Sequence, residues 1–118
     1  MKKYIFYILG ILLVAFIINN YGFTKVSGRS MNPTFEDGDY LIVDFNKEPE
    51  DGDIIILDAS VMEEWNHSTT QIVKRYYAEY STDGYYVLGD NADHSYDSRQ
   101  FGEFDKDCLV GVVVFSFQ

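Results

Sequence analysis

Three polar stretches of the sequence contain residue types that can carry out covalent chemistry. They are residues 27–34 (SGRSMNPT), residues 73–75 (VKR) and residues 89–99 (GDNADHSYDSR). Taken singly, each has an ordinary interpretation as a turn, a solvated strand edge or a polar loop. Together they offer a serine hydroxyl as a nucleophile and a lysine amine as a base. Their combination predicts a catalytic site built on Ser30 and Lys74.

Lys74 is the stronger candidate for the base that Ser30 needs. A serine hydroxyl is a poor nucleophile until a nearby base takes its proton. In an extended strand Lys74 shares a face with Ile72 and Tyr76, so its amine can point into an apolar environment that disfavours the charged form. Lowering a lysine pKa from about 10.4 to roughly 7 or 8 costs on the order of 4 kcal/mol, which the fold must supply.

The two histidines are less suited to the role of base. His67 falls in a predicted loop, and His94 lies among carboxylates. A triad of Ser30, His94 and Asp97 is the alternative arrangement that the residues leave open. Under the lysine hypothesis, removal of His94 leaves most of the activity in place.

Short strands must position these side chains. Gly-Asp steps at Gly38 and Gly52 are typical of turns that lead into strands. Ser60 followed by Glu63 fits either a helix-capping box or a loop. The runs that favour strands are residues 40–45, 54–57, 71–80, 85–88 and 109–117. They predict a mainly β domain of antiparallel strands, either a small sandwich or a partly open barrel.

An uncharged apolar run, residues 4–18 (YIFYILGILLVAFII), follows Lys2 and Lys3. As a helix it covers roughly 22 Å, and extended to Phe23 it reaches roughly 30 Å, about the thickness of the hydrocarbon core. The small residues that a cleavage site needs do not follow it. We therefore predict an uncleaved transmembrane anchor in residues 1–23 and a β-rich protease domain in residues 24–118. By the positive-inside rule, the lysines predict a cytoplasmic N-terminus and an extracytoplasmic domain at the cell membrane.

Composition excludes several classes of protein. The chain is 47% hydrophobic and 17% aromatic with two Pro, so it is not disordered. Beyond Lys2 and Lys3, nineteen acidic residues stand against seven basic ones, which disfavours nucleic acid as a partner. Cys108 is the single cysteine, so an internal disulfide is excluded, and the residues match neither zinc nor calcium sites. We expect no metal and no other cofactor.

Taken together, the motifs resemble those of the type I signal peptidases, membrane-anchored serine proteases with a Ser/Lys dyad. The resemblance covers the anchor and most of the outer domain. It rests on residues 27–35 (SGRSMNPTF), 38–45 (GDYLIVDF), 73–75 (VKR) and 89–102 (GDNADHSYDSRQFG). It implies a serine endopeptidase that removes N-terminal signal peptides from exported preproteins, in a short form like that of Gram-positive bacteria.

The resemblance also implies roles for single residues. Ser30 attacks the scissile carbonyl, and its backbone N–H donates to the oxyanion. Lys74 acts as the general base, and Ser95 hydrogen-bonds the lysine amine to orient it. Asp97 and Arg99 form an ion pair that braces the site, and Arg75 and Asp90 help to hold the loop.

The substrate would bind as an extended peptide with alanine-sized side chains in shallow pockets. We predict that Met31 and Phe35 line these pockets or touch membrane lipid, with ordinary core packing as the alternative. The position two residues before the nucleophile is Gly28, where some members have a serine that completes the oxyanion hole. The second oxyanion donor is therefore open.

Residues 76–81 (YYAEYS) stand where many members of the family have a Pro-Gly-Asp turn and then a β-rich insertion. The short connection favours a minimal catalytic core and leaves room for a specialised maturation protease with few substrates. Two further alternatives are a non-catalytic, membrane-tethered β domain and a cytoplasmic self-cleaving repressor with a Ser/Lys dyad. Both catalytic residues are present, which disfavours the first, and the anchor disfavours the second.

Overall fold

The apolar N-terminal run forms a helix, α1, over Lys2–Asn20. The structure is a computed structural model that describes residues 2–118. By length and composition α1 can cross a membrane, and no side chain within Lys2–Asn20 is buried against the rest of the chain. At 1.5 Å per residue the helix is about 28 Å long, close to the thickness of the hydrocarbon core.

The helix ends earlier than the sequence predicts, at Asn20 rather than near Phe23. The side-chain amide of Asn20 donates to the carbonyl of Phe16 at 2.8 Å, and the next residues, Tyr21–Lys25, form strand β1. Aromatic residues and Thr favour strands, and every residue of β1 pairs with the neighbouring strand. The predicted boundary between residues 23 and 24 therefore falls inside a strand.

The rest of the chain is mainly β, as the sequence predicts. Five strands follow β1: β2 (Tyr40–Asp44), β3 (Ile54–Asp58), β4 (Gln71–Tyr76), β5 (Val87–Leu88) and β6 (Leu109–Phe117). All six form one antiparallel sheet in the order β1-β2-β6-β3-β4-β5. The sheet curls into a half-barrel, which is the partly open form of the two predicted architectures.

Three of the predicted strands are longer than the observed ones, the run 40–45 by one residue and the runs 71–80 and 85–88 by more. β4 stops at Tyr76 because Ala78–Tyr80 forms a 3₁₀ turn. β5 is only two residues long, since Tyr85 makes an isolated bridge to Phe104 instead of extending it. The strand that the sequence does not predict is β1.

Of the two interpretations of Ser60 and Glu63, a capping box or a loop, the capping box does not form. Asp58 caps a short 3₁₀ turn, Ala59–Val61, by accepting from the backbone N–H of Ser60 at 3.0 Å. A second helix, α2 (Ser98–Phe101), does have a capping box, which joins Asp97 and Gln100. It lies inside the third polar stretch.

The two Gly-Asp turns have the same geometry. In the first, the Asp39 carboxylate accepts from the N–H of Glu36, and the Asp39 N–H donates to the Glu36 carbonyl. Asp53 and Glu50 repeat both hydrogen bonds in the second. The turns end directly before β2 and β3, as predicted.

The core has two parts. The larger part lies around Ile55, Leu57, Val87 and Phe104. It also contains Cys108, whose thiol pKa is raised by burial to about 11, so the thiol stays protonated and behaves as a small apolar group. The smaller part consists of Val26, Met31, Phe35 and Leu41. It packs under the first polar stretch and holds it against the sheet.

Candidate active site

A cavity of about 330 Å³ brings Ser30 and Lys74 together. Three parts of the chain line it: the segment from the end of β1 to Met31, the β3–β4 connection together with β4, and the third polar stretch at His94 and Tyr96. The hydroxyl of Thr24 donates to the Gln71 side chain at 3.1 Å, which joins the first segment to β4. The two residues predicted as nucleophile and base therefore share one opening.

A tight turn presents Ser30 to the cavity. The N–H of Asn32 donates to the carbonyl of Arg29 at 3.2 Å, and the N–H of Phe35 donates to the carbonyl of Met31 at 3.0 Å. Met31 is 1% exposed and anchors the turn in the smaller core. The backbone N–H of Ser30 has no hydrogen-bond partner within residues 2–118, so it is available to an oxygen of a bound substrate.

Lys74 is buried on the inner face of β4. It follows the two-residue alternation from Ile72, pairs with Ile55 of β3, and is 5% exposed. Its amine donates to the hydroxyl of Ser95 at 2.9 Å, which is its one hydrogen bond to the part of the chain that the structure describes. Burial lowers the pKa of Lys74 to about 8, against an upward pull from Asp97. A large fraction of the amine is therefore neutral at mildly alkaline pH.

Ser95 links the lysine to an ion pair whose carboxylate is buried. Its hydroxyl donates to Asp97 at 2.6 Å, and Arg99 donates to both carboxylate oxygens of Asp97, at 2.9 and 2.5 Å. Asp97 is fully buried. Burial alone raises the pKa of Asp97, but the hydrogen bonds from Arg99, Ser95 and Gly89 outweigh it and hold the pKa at about 2. Asp97 is thus a permanent anion near the lysine.

Arg75 and Asp90, for which the sequence predicts only a part in holding the loop, form a second ion pair. Arg75 donates to both oxygens of Asp90, at 2.9 and 2.8 Å, and to the carbonyl of Gly52 at 2.8 Å. These bonds lower the pKa of Asp90 and raise that of Arg75. The hydroxyl of Thr34 donates to the same carboxylate at 2.5 Å. Asp90 therefore fastens the nucleophile turn to β4.

Asn91 and Gly89 contribute to the site, although the sequence analysis assigns neither of them a role of its own. The N–H of Asn91 donates to the carbonyl of Ser30 at 2.8 Å, and its amide donates to the carbonyl of Arg29 at 3.0 Å. A Cβ at Gly89 would lie 2.2 Å from the hydroxyl of Ser95 and 2.7 Å from the carbonyl oxygen of Ser30. Only glycine fits there. The signal for both residues is their place in the third motif, beside Asp90.

Gly28 has a conformation that suits glycine alone. Its φ is +91°, which L side chains rarely adopt. Its N–H donates to the carboxylate of Asp37 at 2.8 Å. A serine at this position would be strained, and the N–H is already bound. Gly28 therefore supplies neither a side-chain donor nor a free backbone donor for an oxyanion.

The remaining predicted residues lie in different places. Met31 lines the cavity from its buried side, whereas Phe35 is buried in the smaller core and does not line it. His94 is exposed at the cavity wall. The carboxylate of Asp97 accepts from Arg99, Ser95 and Gly89 and makes no bond to His94 within residues 2–118. The structure does not assemble the alternative triad.

The arrangement is suited to acyl transfer. Across the described residues, no group of three or more His, Cys, Asp or Glu side chains is placed to hold a metal ion. What the cavity offers is a hydroxyl, a buried amine with a lowered pKa, and an unpartnered backbone N–H. These are the parts of a serine peptidase site that uses a lysine in place of histidine.

Comparison with known proteins agrees with this class. Residues 11–114 match the Peptidase S24-like family. The match covers most of the chain and includes all three polar stretches, so the chain belongs to the Peptidase S24-like family and is a serine peptidase in general class. No curated protein matches the chain at a significant level.

Proposed function

We propose that this protein is a membrane-anchored serine endopeptidase that removes N-terminal signal peptides from exported preproteins with Ser30 and Lys74. The observation that carries the proposal is the burial of Lys74, with its pKa at about 8, in the cavity that also contains Ser30. Burial of a lysine costs the fold stability, and a strongly lowered lysine pKa in a cavity is typical of a functional site. The motifs that resemble type I signal peptidases supply the specific substrate class.

The reaction runs through an acyl-enzyme. The neutral amine of Lys74 takes the hydroxyl proton of Ser30 as the oxygen attacks the scissile carbonyl. The developing oxyanion accepts from the N–H of Ser30. The lysine then gives the proton to the leaving amine as the peptide bond breaks. Water attacks the resulting ester with Lys74 again as the base, which releases the new carboxylate and restores the serine.

Ser95 and Asp97 orient the base. The Ser95 hydroxyl donates to Asp97 and therefore offers its lone pair to the amine of Lys74. One amine hydrogen is used in that bond, which turns the nitrogen lone pair of the neutral lysine away from Ser95. Arg99 balances the charge of Asp97. The amine of Lys74 therefore lies next to the dipole of the Ser95 hydroxyl and near the ion pair of Asp97 and Arg99, rather than next to an isolated carboxylate.

The anchor supports a substrate that is held in the membrane. Ser30 follows the end of α1 by ten residues, a contour length of about 35 Å at most. Half of these residues are in β1. Because the connection between α1 and Ser30 is this short, the nucleophile lies close to the bilayer. A signal peptide that spans the bilayer presents its cleavage site at a similar depth. Lys2 and Lys3 favour a cytoplasmic N-terminus and an extracytoplasmic domain.

Exposed aromatic side chains fit contact with membrane lipid. Phe23 of β1, Tyr40 of β2 and Phe117 of β6 lie side by side on one face of the sheet, with ring centroids 5.2 to 5.8 Å apart. Phe115 extends the group. β1 follows α1 without a connecting loop. Aromatic rings are favourable at the membrane interface, so this face would rest on the lipid.

The direct test is cleavage of a preprotein. The full-length protein in detergent is incubated with a purified secretory preprotein, and the new N-terminus is sequenced. We expect one cut after an alanine-sized residue at the end of the signal peptide, and no cut by Ser30→Ala. Cleavage of only one preprotein in a panel would favour the specialised maturation protease, which the short connection between β4 and β5 also suits. Equal inactivity of both proteins on every preprotein would contradict the proposal.

A further inference from the structure

The cavity differs in charge from the domain that surrounds it. After the two N-terminal lysines, acidic residues outnumber basic ones nineteen to seven. Among the residues of the described chain that line the cavity, none is Asp or Glu, whereas Lys25, Arg29 and Lys74 are all present. The described lining of the cavity, where the substrate would bind, therefore has no carboxylate, although the domain as a whole is acidic.

Arg29 is the cation best placed to meet a substrate. It is exposed, and it forms no ion pair within residues 2–118. The other two arginines are both paired, Arg75 with Asp90 and Arg99 with Asp97. The carboxylate of Asp37, which follows in the same part of the chain, accepts from the N–H of Gly28. The guanidinium of Arg29 therefore remains available for an external anion.

The backbone of Arg29 is fixed beside the nucleophile. Its carbonyl accepts from the N–H of Asn32 at 3.2 Å and from the side-chain amide of Asn91 at 3.0 Å. Because Arg29 directly precedes Ser30, its side chain can reach only groups within one arginine length of the scissile bond. Lys25 is the last residue of β1, and its amine lies over the ring of Tyr40, 5.8 Å from the centroid. It adds positive charge to the same opening.

We propose that Arg29 is a specificity-determining residue that binds an acidic side chain of the substrate within a few residues of the scissile bond. This proposal rests on the proposed function. A guanidinium binds a carboxylate through two parallel hydrogen bonds, with a geometry that an amine does not offer. A carboxylate held by Arg29 has its charge balanced there, so it does not hold Lys74 in the protonated form. A peptide fits better than an anionic lipid because Arg29 lines the cavity of the nucleophile.

The test uses peptides that differ at one position. The full-length protein in nonionic detergent receives a peptide with alanine at the first and third positions before the scissile bond, and Glu, Gln or Lys at each other position in turn. At one position we expect kcat/KM for Glu to exceed that for Gln by about threefold to fivefold, as for an exposed ion pair. The gain should lie mainly in KM. Equal rates for Glu and Gln at every position would overturn the proposal.

Charge reversal identifies the residue responsible. Arg29→Glu should invert the order, so that the Lys peptide becomes the better substrate at that position. Lys106→Glu is the matched control, since Lys106 is also exposed and does not line the cavity, and it should keep the wild-type order. A preference for Glu that survives Arg29→Glu, or that appears only when anionic lipid is added, would contradict the proposal.

A binding measurement separates this proposal from the proposed function. Fluorescently labelled Glu and Lys peptides are titrated into Ser30→Ala protein with and without Arg29→Glu, and anisotropy gives each Kd. Tighter binding of the Glu peptide that is lost with Arg29→Glu supports the specificity role even when no peptide is cleaved. Cleavage of all peptides at one rate, with equal Kd values, would support the peptidase and overturn the role of Arg29.

Discussion

At the scale of single residues, the proposed chemistry depends on the environment of Lys74. Burial is the largest influence on its pKa and lowers it, while the charge of Asp97 raises it and that of Arg99 lowers it. The sequence predicts the burial, because the alternation of β4 places Lys74 on the face of Ile72. The hydrogen bond to Ser95 joins residues twenty-one positions apart. No local sequence pattern predicts a hydrogen bond between residues so far apart along the chain, and only the family resemblance implies it.

The activity should rise with pH through the pKa of Lys74, because the base must be neutral. Since burial sets that pKa at about 8 and the two neighbouring charges adjust it, Arg99→Gln should move the midpoint of kcat/KM above 8. Asp97→Asn should move it below 8. The measurement is a pH profile for each variant, after thermal unfolding has confirmed that the variant is folded. If wild type and both variants had the same pH midpoint, or if the midpoints shifted in the opposite directions, Lys74 would not be the base.

Lys74 should also reduce the stability of the fold below pH 8. Its pKa is about 8 in the folded chain and 10.5 as the ordinary value, so the unfolded chain binds the proton more tightly. The destabilisation is complete below pH 8 and disappears as the pH rises to 10.5. Lys74→Met should therefore be inactive but more stable at pH 6, by on the order of 3 kcal/mol. Urea unfolding at pH 6 and pH 10 tests this.

The matched control for that experiment is Lys106→Met, because Lys106 is exposed. Its stability relative to wild type should not change between pH 6 and pH 10. If Lys74→Met were less stable than wild type at both pH values, the buried amine would be contributing to stability rather than opposing it.

At the scale of elements, the sequence predicted more of the sheet than of the loops. The strands are recognisable by β-branched and aromatic runs between turns, and β6 was predicted with its observed ends. The sequence does not predict β1, because five residues directly after an apolar helix resemble a continuation of that helix. α2 was missed because four residues are too short for a helical periodicity. Its capping box with Asp97 is formed by side chains that also serve the site.

We expect that one methyl group added at Gly89, in the loop before α2, lowers the catalytic rate. In Gly89→Ala, the new Cβ would lie 2.2 Å from the hydroxyl of Ser95 and 2.7 Å from the carbonyl of Ser30. Either the group that orients the lysine or the nucleophile turn must move. A displacement near 1 Å costs about 10²-fold in kcat. Steady-state kinetics should show this loss.

Gly10→Ala is the control, because nothing lies within 4 Å of a Cβ at Gly10. It should keep wild-type kinetics. If Gly89→Ala were equally active, the close approach of the third polar stretch to Ser30 would not matter for catalysis.

At the scale of the whole molecule, an apolar helix leads directly into an acidic β domain. Within Lys2–Asn20 every large apolar side chain is exposed to the surroundings of the protein, which suits lipid better than water. The sequence predicts the helix from composition alone. The position of the catalytic cavity relative to it follows from the pairing of β1 with β2, which composition does not reveal.

The proposed orientation predicts that the domain is open to the outside. Protease added to intact protoplasts should remove residues beyond α1, while a cytoplasmic marker protein remains whole. Lysed protoplasts are the control, in which both should be degraded. A domain that stays protected together with the marker would show that the orientation is reversed, and a mature N-terminus near Gly22 would show that the helix is cleaved.

The central claim is that the neutral amine of Lys74 takes the proton of Ser30. The most direct measurement is the rate at which purified Lys74→Arg protein cuts a preprotein in detergent at pH 9, beside wild type and Ser30→Ala. Arginine has a similar length and polarity but keeps its charge at any usable pH. The account predicts that Lys74→Arg falls to the background of Ser30→Ala, a loss of at least about 10³-fold. Cleavage by Lys74→Arg near the wild-type rate would contradict it, and His94 would then be the base to examine.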